Sequence, residues 1–484
     1  MTRALNPDPK RLAAVLTPLQ ALGIVVGGTI GASIFLVPSV IAQKVPFLAG
    51  ALSVWILGAL ISLAGVLTIS ELVAMLPEDG GGYVYIRAAF GPQMGFLFAW
   101  ADAVMIRAGA ACTISFTFGI YFAQLIPAPA GLPVAVWHGG IAGALIATLM
   151  LLNVRGAKLG ADLQVAGMAL KAVALASALI LPLVLWRGAN HLASAPAFPG
   201  IATGGLFAGL FAAMVPVMWT YAGWEQLAHL TEEVRNPGRN VPRVFAAGLL
   251  LIGALYLSVA IGIHYVLPWT AVVQSQAVGA DLFRALFGQT GVQLISMLIL
   301  LSTIFTANGA VMSGPRAAFA LARSGDAPAF LSRVHPRFQT PANAVLAMGC
   351  WSLLLLVVSV AMMVIPLPAG LPVPVRNAWL AVQARPLFDV MISWVMFGYL
   401  LLQALVAASL IVLRRSKPGL PRPFRVPGYP LVPIASMAAT GVLMFSMAGS
   451  GALEVVAGLF LIALGLPVRW LYSRGRQRPA ALIV

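Results

Sequence analysis

Val25-Val26-Gly27-Gly28-Thr29-Ile30-Gly31-Ala32-Ser33-Ile34-Phe35 is the stretch that decides the fold. It lies in an apolar run long enough to cross a bilayer, yet its middle is glycine, threonine and serine. A second run of the same kind reads Trp219-Thr220-Tyr221-Ala222-Gly223-Trp224-Glu225. A helix interrupted in lipid leaves backbone N–H and C=O groups without water, at about several kcal/mol per group unless a cavity or ligand answers them. Paired interruptions, one opening each half of a chain, mark the binding site of a carrier.

The rest of the chain fits a bilayer. Of 484 residues, 61% are hydrophobic and 9% charged, with a mean hydropathy of +0.96. Soluble chains carry about 25% charge, so this is an all-α polytopic membrane protein, expected as one transport domain over 1–484. With roughly 20 apolar residues per crossing, twelve spans are expected: 19–41, 47–76, 94–126, 137–153, 162–186, 204–230, 244–267, 289–313, 342–365, 387–413, 429–448 and 451–472. The basic start, Met1 to Thr17, runs into a full span without a small-residue cleavage site, so no cleaved leader is expected. Cys112 and Cys350 both fall inside spans and read as packing residues.

The net charge of +16 could suggest nucleic acid, but its distribution answers to the membrane. With the N-terminus inside and an even number of spans, 22 of the 29 Lys and Arg fall in inner segments, as the positive-inside rule requires. Both termini are therefore expected in the cytoplasm, with the protein in the cytoplasmic membrane. The inner cluster Arg414, Arg415, Lys417, Arg422 and Arg425 reads as topological, with anionic lipid a compatible contact. The Pro-rich stretch Ile365 to Ala384 is expected to cap the outer face.

Spans one to five (19–186) and six to ten (204–413) form two five-helix units, each opening on a broken helix, and 429–472 adds two helices. An odd number of spans per unit inverts the second relative to the first. Helix packing through small residues would account for Gly27, Gly28 and Gly31 alone. It leaves Thr29, Ser33, Thr220, Tyr221, Gly223 and Glu225 unexplained.

A broken helix gathers partial positive charge at its new N-terminus and partial negative charge at its new C-terminus. An amino acid needs both. Its carboxylate suits the N–H groups of Ala32, Ser33 and Ile34; its ammonium suits the carbonyls of Thr29 and of Trp219 to Ala222. Specificity falls to the wall, with Trp219, Tyr221 and Trp224 as candidates. No metal, nucleotide or other cofactor is needed. The expected partners are an amino acid as the small-molecule substrate, protons and the lipid bilayer.

Gly31-Ala32-Ser33-Ile34-Phe35, Trp219 to Trp224 followed by Thr231-Glu232-Glu233-Val234-Arg235-Asn236-Pro237 and Arg239-Asn240-Val241-Pro242, Glu71 with Pro77 and Gly80-Gly81-Gly82-Tyr83, Gly91-Pro92, Arg316 through Arg323-Ser324-Gly325-Asp326, and Thr340-Pro341-Ala342-Asn343-Ala344 occur in order along the chain. Together they resemble the amino acid–polyamine–organocation superfamily of permeases over nearly the whole length. The resemblance implies a leucine-transporter-like fold and alternating access. It implies amino-group contacts at the carbonyls of Thr29, Trp219 and Ala222, carboxylate contacts at Ala32 and Ser33, and closure of Trp219 over the substrate. Ser33 departs from the usual glycine; its hydroxyl can donate to a carboxylate while its bulk favours small substrates.

Ionisable residues at bilayer depth are functional candidates. Lys171 stands alone in span five. By resemblance it sits near spans one and eight, where sodium-coupled relatives hold a cation, with Ser302 and Thr303 beside it; proton coupling, a fixed cation and snorkelling are the competing readings. Glu225 begins the second half of the broken sixth helix, where exchangers of cationic amino acids or polyamines can carry Glu; a capping role competes. His229 lies one turn on. Asp102 and Arg107, five apart, are poorly spaced for an intrahelical pair, and a structural role is expected of Arg107. Glu232, Glu233, Arg235 and Arg239 are expected to form an inner gate with Arg87 or Arg316, or else a solvated cluster.

An amino acid permease of the cytoplasmic membrane, proton-coupled or exchanging, is the expected function. A cationic amino acid or polyamine antiporter is the alternative. A membrane enzyme would need clustered acid–base or metal-binding groups, whereas the five His, at 138, 191, 229, 264 and 335, are scattered. A nutrient sensor of the same fold would be expected to carry a signalling domain or long tail.

Overall fold

The computed structural model describes residues 12–192, 205–365, 387–450 and 452–474, with Val373, Arg376 and Leu380 between them. The expected outer cap over Ile365 to Ala384 lies, apart from these positions and Ile365, outside the described residues. Among the described residues the fold is helical. Eight helices are long and apolar enough to span a membrane: Leu48–Met75, Pro92–Ala123, Val134–Val154, Ala157–Leu185, Pro237–Val266, Val278–Arg323, Ala342–Val364 and Val395–Ser416. Pro18–Thr29, Leu431–Met447 and Gly458–Tyr472 are shorter and apolar.

The first expected span is divided. Helix α1 (Pro18–Thr29) starts at a capping box: the Thr17 hydroxyl accepts from the Gln20 amide, and the Gln20 side chain accepts from the Thr17 amide. This reciprocal pair satisfies two amides that no helical carbonyl reaches. The helix stops where Ile30 turns extended, at φ −69° and ψ 106°. A 3₁₀ turn (Ala32–Phe35) and helix α2 (Val37–Lys44) follow. The sixth expected span divides likewise. Gly205–Tyr221 is helical, Gly223 sits at φ +120°, and a 3₁₀ segment (Trp224–Glu233) follows. That φ belongs to glycine.

The two breaks touch. A Cβ on Gly223 would stand 2.7 Å from the Gly28 carbonyl oxygen and 3.0 Å from the Thr29 Cα. Around them α1 packs against Ala157–Leu185, Pro237–Val266 and Val278–Arg323. The 46-residue element Val278–Arg323 bends at Gly288, at φ +62°, so its membrane part begins after that glycine.

Between Pro92–Trp100 and Ala108–Ala123 the helix loosens into a π-segment, Ala101–Arg107. Hydrogen bonding from i to i+5 brings residues five apart onto one face. This corrects the expectation for Asp102 and Arg107: a poor α-helical spacing is a good π-helical one, and the two are paired at 3.1 Å.

Candidate substrate-binding site

At the first break the chain is buried on both sides and accessible in the middle. Thr29, Ile30, Ile34 and Phe35 are buried, whereas Gly31, Ala32 and Ser33 are half-buried. Ala32 and Ser33 open the 3₁₀ turn, and the first amides of a helix lack intrahelical acceptors. In a 3₁₀ turn the Ile34 amide faces the carbonyl three residues back. Among the described residues the Ser33 hydroxyl has no hydrogen-bond partner. The turn packs against the helix ending at Tyr221, where Trp219 and Ala222 are half-buried and Thr220, Tyr221, Gly223 and Trp224 are buried.

The carbonyls of the breaks are differently engaged. The Tyr256 hydroxyl, from Pro237–Val266, donates to the Thr220 carbonyl at 2.8 Å and lies 3.4 Å from that of Thr29. A hydroxyl has one proton, so both broken helices share one donor. Tyr221 donates to the Trp55 carbonyl at 3.1 Å and packs edge-on to Trp55 and Tyr256. Trp224 packs edge-on to Phe245. Both rings thus sit in the packed interior, leaving Trp219 as the half-buried aromatic of the three. The Trp219 carbonyl accepts from the Ala222 amide at 3.1 Å.

Lys171 is buried and reaches the first break. Its Nζ donates to the carbonyls of Gly27 at 2.6 Å and Ile30 at 2.5 Å, and to the Thr306 hydroxyl at 2.8 Å. The expected neighbours Ser302 and Thr303 are a turn away. The Ser302 carbonyl accepts from Thr306, and Thr303 donates to the Leu300 carbonyl. Thr306 was missed because one buried hydroxyl in a span looks like any other.

Glu225 is fully engaged. One carboxylate oxygen accepts from Arg107 at 3.1 Å; the other accepts from the Gly223 amide at 2.9 Å and from the Tyr399 hydroxyl at 3.2 Å. Arg107 also holds Asp102, and its other terminal nitrogen lies 3.1 Å from His229 Nε2. These groups, with Gln403, line a cavity of about 20 Å³, room for about one water. Among the described residues Asp102 Oδ2 and His229 Nδ1 have no hydrogen-bond partner, although Asp102 Oδ2 lies 3.7 Å from His229 Nε2. Tyr399 comes from 174 residues away in sequence, and its signal was only a tyrosine in an apolar span.

On the face carrying the Arg-rich loops, Arg316 pairs with Glu233 at 3.0 Å, both fully buried, and Arg323 pairs with Glu232 at 2.8 Å. Of the two expected gate partners, Arg316 is the one used; Arg87 turns to Ser324 and Asp326. Asp79, in the loop after Leu48–Met75, accepts from the Glu232 amide at 2.7 Å. Burial, then the charges of Glu233 and Glu232, push its pKa well above the usual carboxylate range. Leu16 bonds both sides of this segment, donating to the Glu233 carbonyl and accepting from the Arg235 amide. Glu71, buried, holds Arg414 and accepts from the Val426 amide at 2.7 Å, with Arg422 3.5 Å away. Two members of the basic cluster expected to be topological therefore also fasten a loop.

A polytopic helical protein whose two discontinuous helices meet, with half-buried residues at the junction, is a membrane carrier in architecture. The amino acid permease family matches residues 16–466, and the chain belongs to it, within the amino acid–polyamine–organocation superfamily. Among curated relatives it is similar to the serine/threonine exchanger SteT of Bacillus subtilis, 27% identical over 93% of this chain and 94% of the relative. It is also 27% identical to the human b(0,+)-type amino acid transporter 1, over 87% of this chain and 80% of the relative. Identity to the mouse large neutral amino acids transporter small subunit 2 is 29%, over 95% and 81%. The chain is an amino acid permease.

Proposed function

We propose that this permease carries small neutral amino acids across the cytoplasmic membrane by exchange. Twelve crossings are arranged as a 5+5 inverted repeat plus two helices, with both termini inside. The carrying observation is that the half-buried residues Gly31 to Ser33 lie in a turn packed against the helix ending at Tyr221, at whose end Trp219 and Ala222 are also half-buried. The amides of Ala32 and Ser33 and the free Ser33 hydroxyl suit the carboxylate; the carbonyls of Thr29, Trp219 and Ala222 suit the ammonium. Ala222 and Ser33 leave a small wall without a charge.

The antiporter of cationic amino acids or polyamines rested on Glu225. That carboxylate already holds Arg107, the Gly223 amide and Tyr399, so a cationic substrate would have to displace an arginine. Its role in this reading is to cap the second half-helix. Lys171 is the fixed cation that ties the first break to the neighbouring helices. Exchange agrees with the name of the Bacillus subtilis relative, a serine/threonine exchanger.

Counterflow in proteoliposomes tests the reading. Loaded serine, threonine or alanine should drive uptake of labelled serine, with little response to a pH gradient, whereas arginine and agmatine should not. Exchange of arginine or agmatine in preference to serine would overturn the substrate class. Absence of exchange with every amino acid would overturn the mode of transport.

A further inference from the structure

We propose that a groove on the Arg-rich face binds the phosphate headgroup of an anionic lipid. The groove encloses about 730 Å³ and is lined by Ala74 and Pro77, by Asn236 to Arg239, Pro242, Arg243 and Ala246, and by Pro423 and Phe424. Three separate parts of the chain build it. These are the end of the span Leu48–Met75, the start of the span Pro237–Val266, and the loop that follows Leu387–Ser416.

Its cations are free to take a ligand. Among the described residues neither Arg239 nor Arg243 has an ion-pair partner, and both are exposed. The neighbouring Arg414 and Arg422 differ, because Glu71 holds the first and lies beside the second. Glu71, three residues before Ala74, is thus spent on the loop, and Glu78, next to Pro77, lies 3.9 Å from Arg323; among the described residues the groove keeps two guanidinium groups without an ion pair. A guanidinium offers a planar fork of donors that matches phosphate oxygens.

Its depth selects the source of that phosphate. One span ends at Met75 and the other begins at Pro237, so the groove opens where hydrocarbon gives way to headgroups. Pro77, Pro237, Pro242, Pro423 and Phe424 form an apolar lining that suits a glycerol backbone and the first acyl carbons. Basic pockets between spans on this side of a membrane suit anionic headgroups. A small soluble phosphate would use the arginines and leave this apolar lining in water.

The floor is held from both sides. Gly238 lies where a Cβ would come 3.7 Å from Pro423 Cγ and 3.8 Å from the Ala74 carbonyl oxygen. Glu71 fixes the loop by accepting from the Val426 amide, two residues beyond Phe424. The groove therefore reports on the relative placement of the loop, the second span and the seventh. A lipid seated in it would hold these three together.

The test is the melting temperature of the detergent-purified full chain, with phosphatidylglycerol, phosphatidylcholine or inorganic phosphate added. Phosphatidylglycerol should raise it in a saturable way, and phosphatidylcholine should not. The double variant R239Q/R243Q should melt like the wild type without lipid and lose most of the phosphatidylglycerol shift. The control R155Q/K158Q removes two exposed positive charges elsewhere on the same face and should keep the shift. Equal loss in the control would overturn the groove in favour of diffuse charge attraction. An equal shift with inorganic phosphate would overturn the lipid as the source. No shift with phosphatidylglycerol in the wild type would overturn the site.

Discussion

Asp102 and Arg107 pair at 3.1 Å on one face of a π-helical segment, although five residues separate them. The register shift aims Arg107 at Glu225 from the broken sixth helix. Arg107 is thus the single strong cation between two buried carboxylates. Removing one partner of a buried pair costs about 3–5 kcal/mol, because the other charge is stranded. Arg107→Gln should therefore melt far below the wild type. Adding Glu225→Gln should recover part of the loss. A double variant no more stable than Arg107→Gln would show that the two side chains are not coupled, as would additive losses.

Gly223 and Gly31 separate folding from transport. Gly223 has φ +120° and stands against the Gly28 carbonyl. Alanine there meets a left-handed penalty of about 1–2 kcal/mol and overpacking of about 1–3 kcal/mol. Gly223→Ala should fail to accumulate as folded protein. At Gly31 the nearest atom to an added Cβ is the Ser33 hydroxyl, 3.9 Å away. Gly31→Ala should fold normally and raise the KM for counterflow, since the methyl stands where substrate is proposed to sit. Size-exclusion profiles and initial rates check the pair.

Tyr256→Phe removes the proton shared by the two breaks. A net hydrogen bond is worth about 1 kcal/mol, so the loss in melting temperature should be small. Turnover should fall more, because the Thr29 and Thr220 carbonyls lose their common donor. Unchanged exchange rates under saturating serine would refute a role for this tie.

Lys171→Met keeps the length of the side chain and deletes the ammonium. The Gly27 carbonyl then loses the Lys171 donor, at about 1–3 kcal/mol for a group left unsatisfied, while the Ile30 carbonyl keeps the Thr306 hydroxyl at 3.2 Å. The variant should be less stable and bind serine more weakly. In the proposed fixed-cation role, its pH profile of exchange should keep the wild-type shape. A changed profile would assign Lys171 to proton coupling instead.

Asp79 gives a pH signature of stability. Its folded pKa is raised by burial, so folding favours the protonated form. Its share of stability is fully present below the unfolded pKa of about 4 and is lost as pH rises through the folded value. Asp79→Asn keeps an acceptor for the Glu232 amide and removes the charge. The variant should match the wild type at the acid end and melt progressively higher than it as pH rises. A gap that is constant with pH would contradict the buried carboxyl.

Some of this was legible because it is local or compositional. Hydropathy marks the spans, and Gly, Thr and Ser inside two of them mark the breaks. Arg316 was legible, with Arg87, as a candidate partner of the acids after the sixth span because both fall in basic segments expected on the same face. Other parts were hidden. Tyr256, Thr306 and Tyr399 are isolated polar groups in apolar helices, and sequence spacing does not say which carbonyl or carboxylate they meet. Tyr221 and Trp224 looked like a substrate wall because aromatics beside a break are chemically suited to it. Their burial follows from helix rotation, which depends on neighbours far along the chain.

The sequence by itself determined that this protein lives in a bilayer, that its helices break twice, and that it resembles the amino acid permeases. Those conclusions rest on transfer free energy and backbone satisfaction, which act residue by residue along the chain. Only the tertiary structure decided what the charges do. It turned Asp102 and Arg107 into a pair through a π-helical register, occupied Glu225 with an arginine, and brought Lys171 to the Gly27 and Ile30 carbonyls. A buried charge is defined by its partners, and partners more than a hundred residues away are chosen by helix packing.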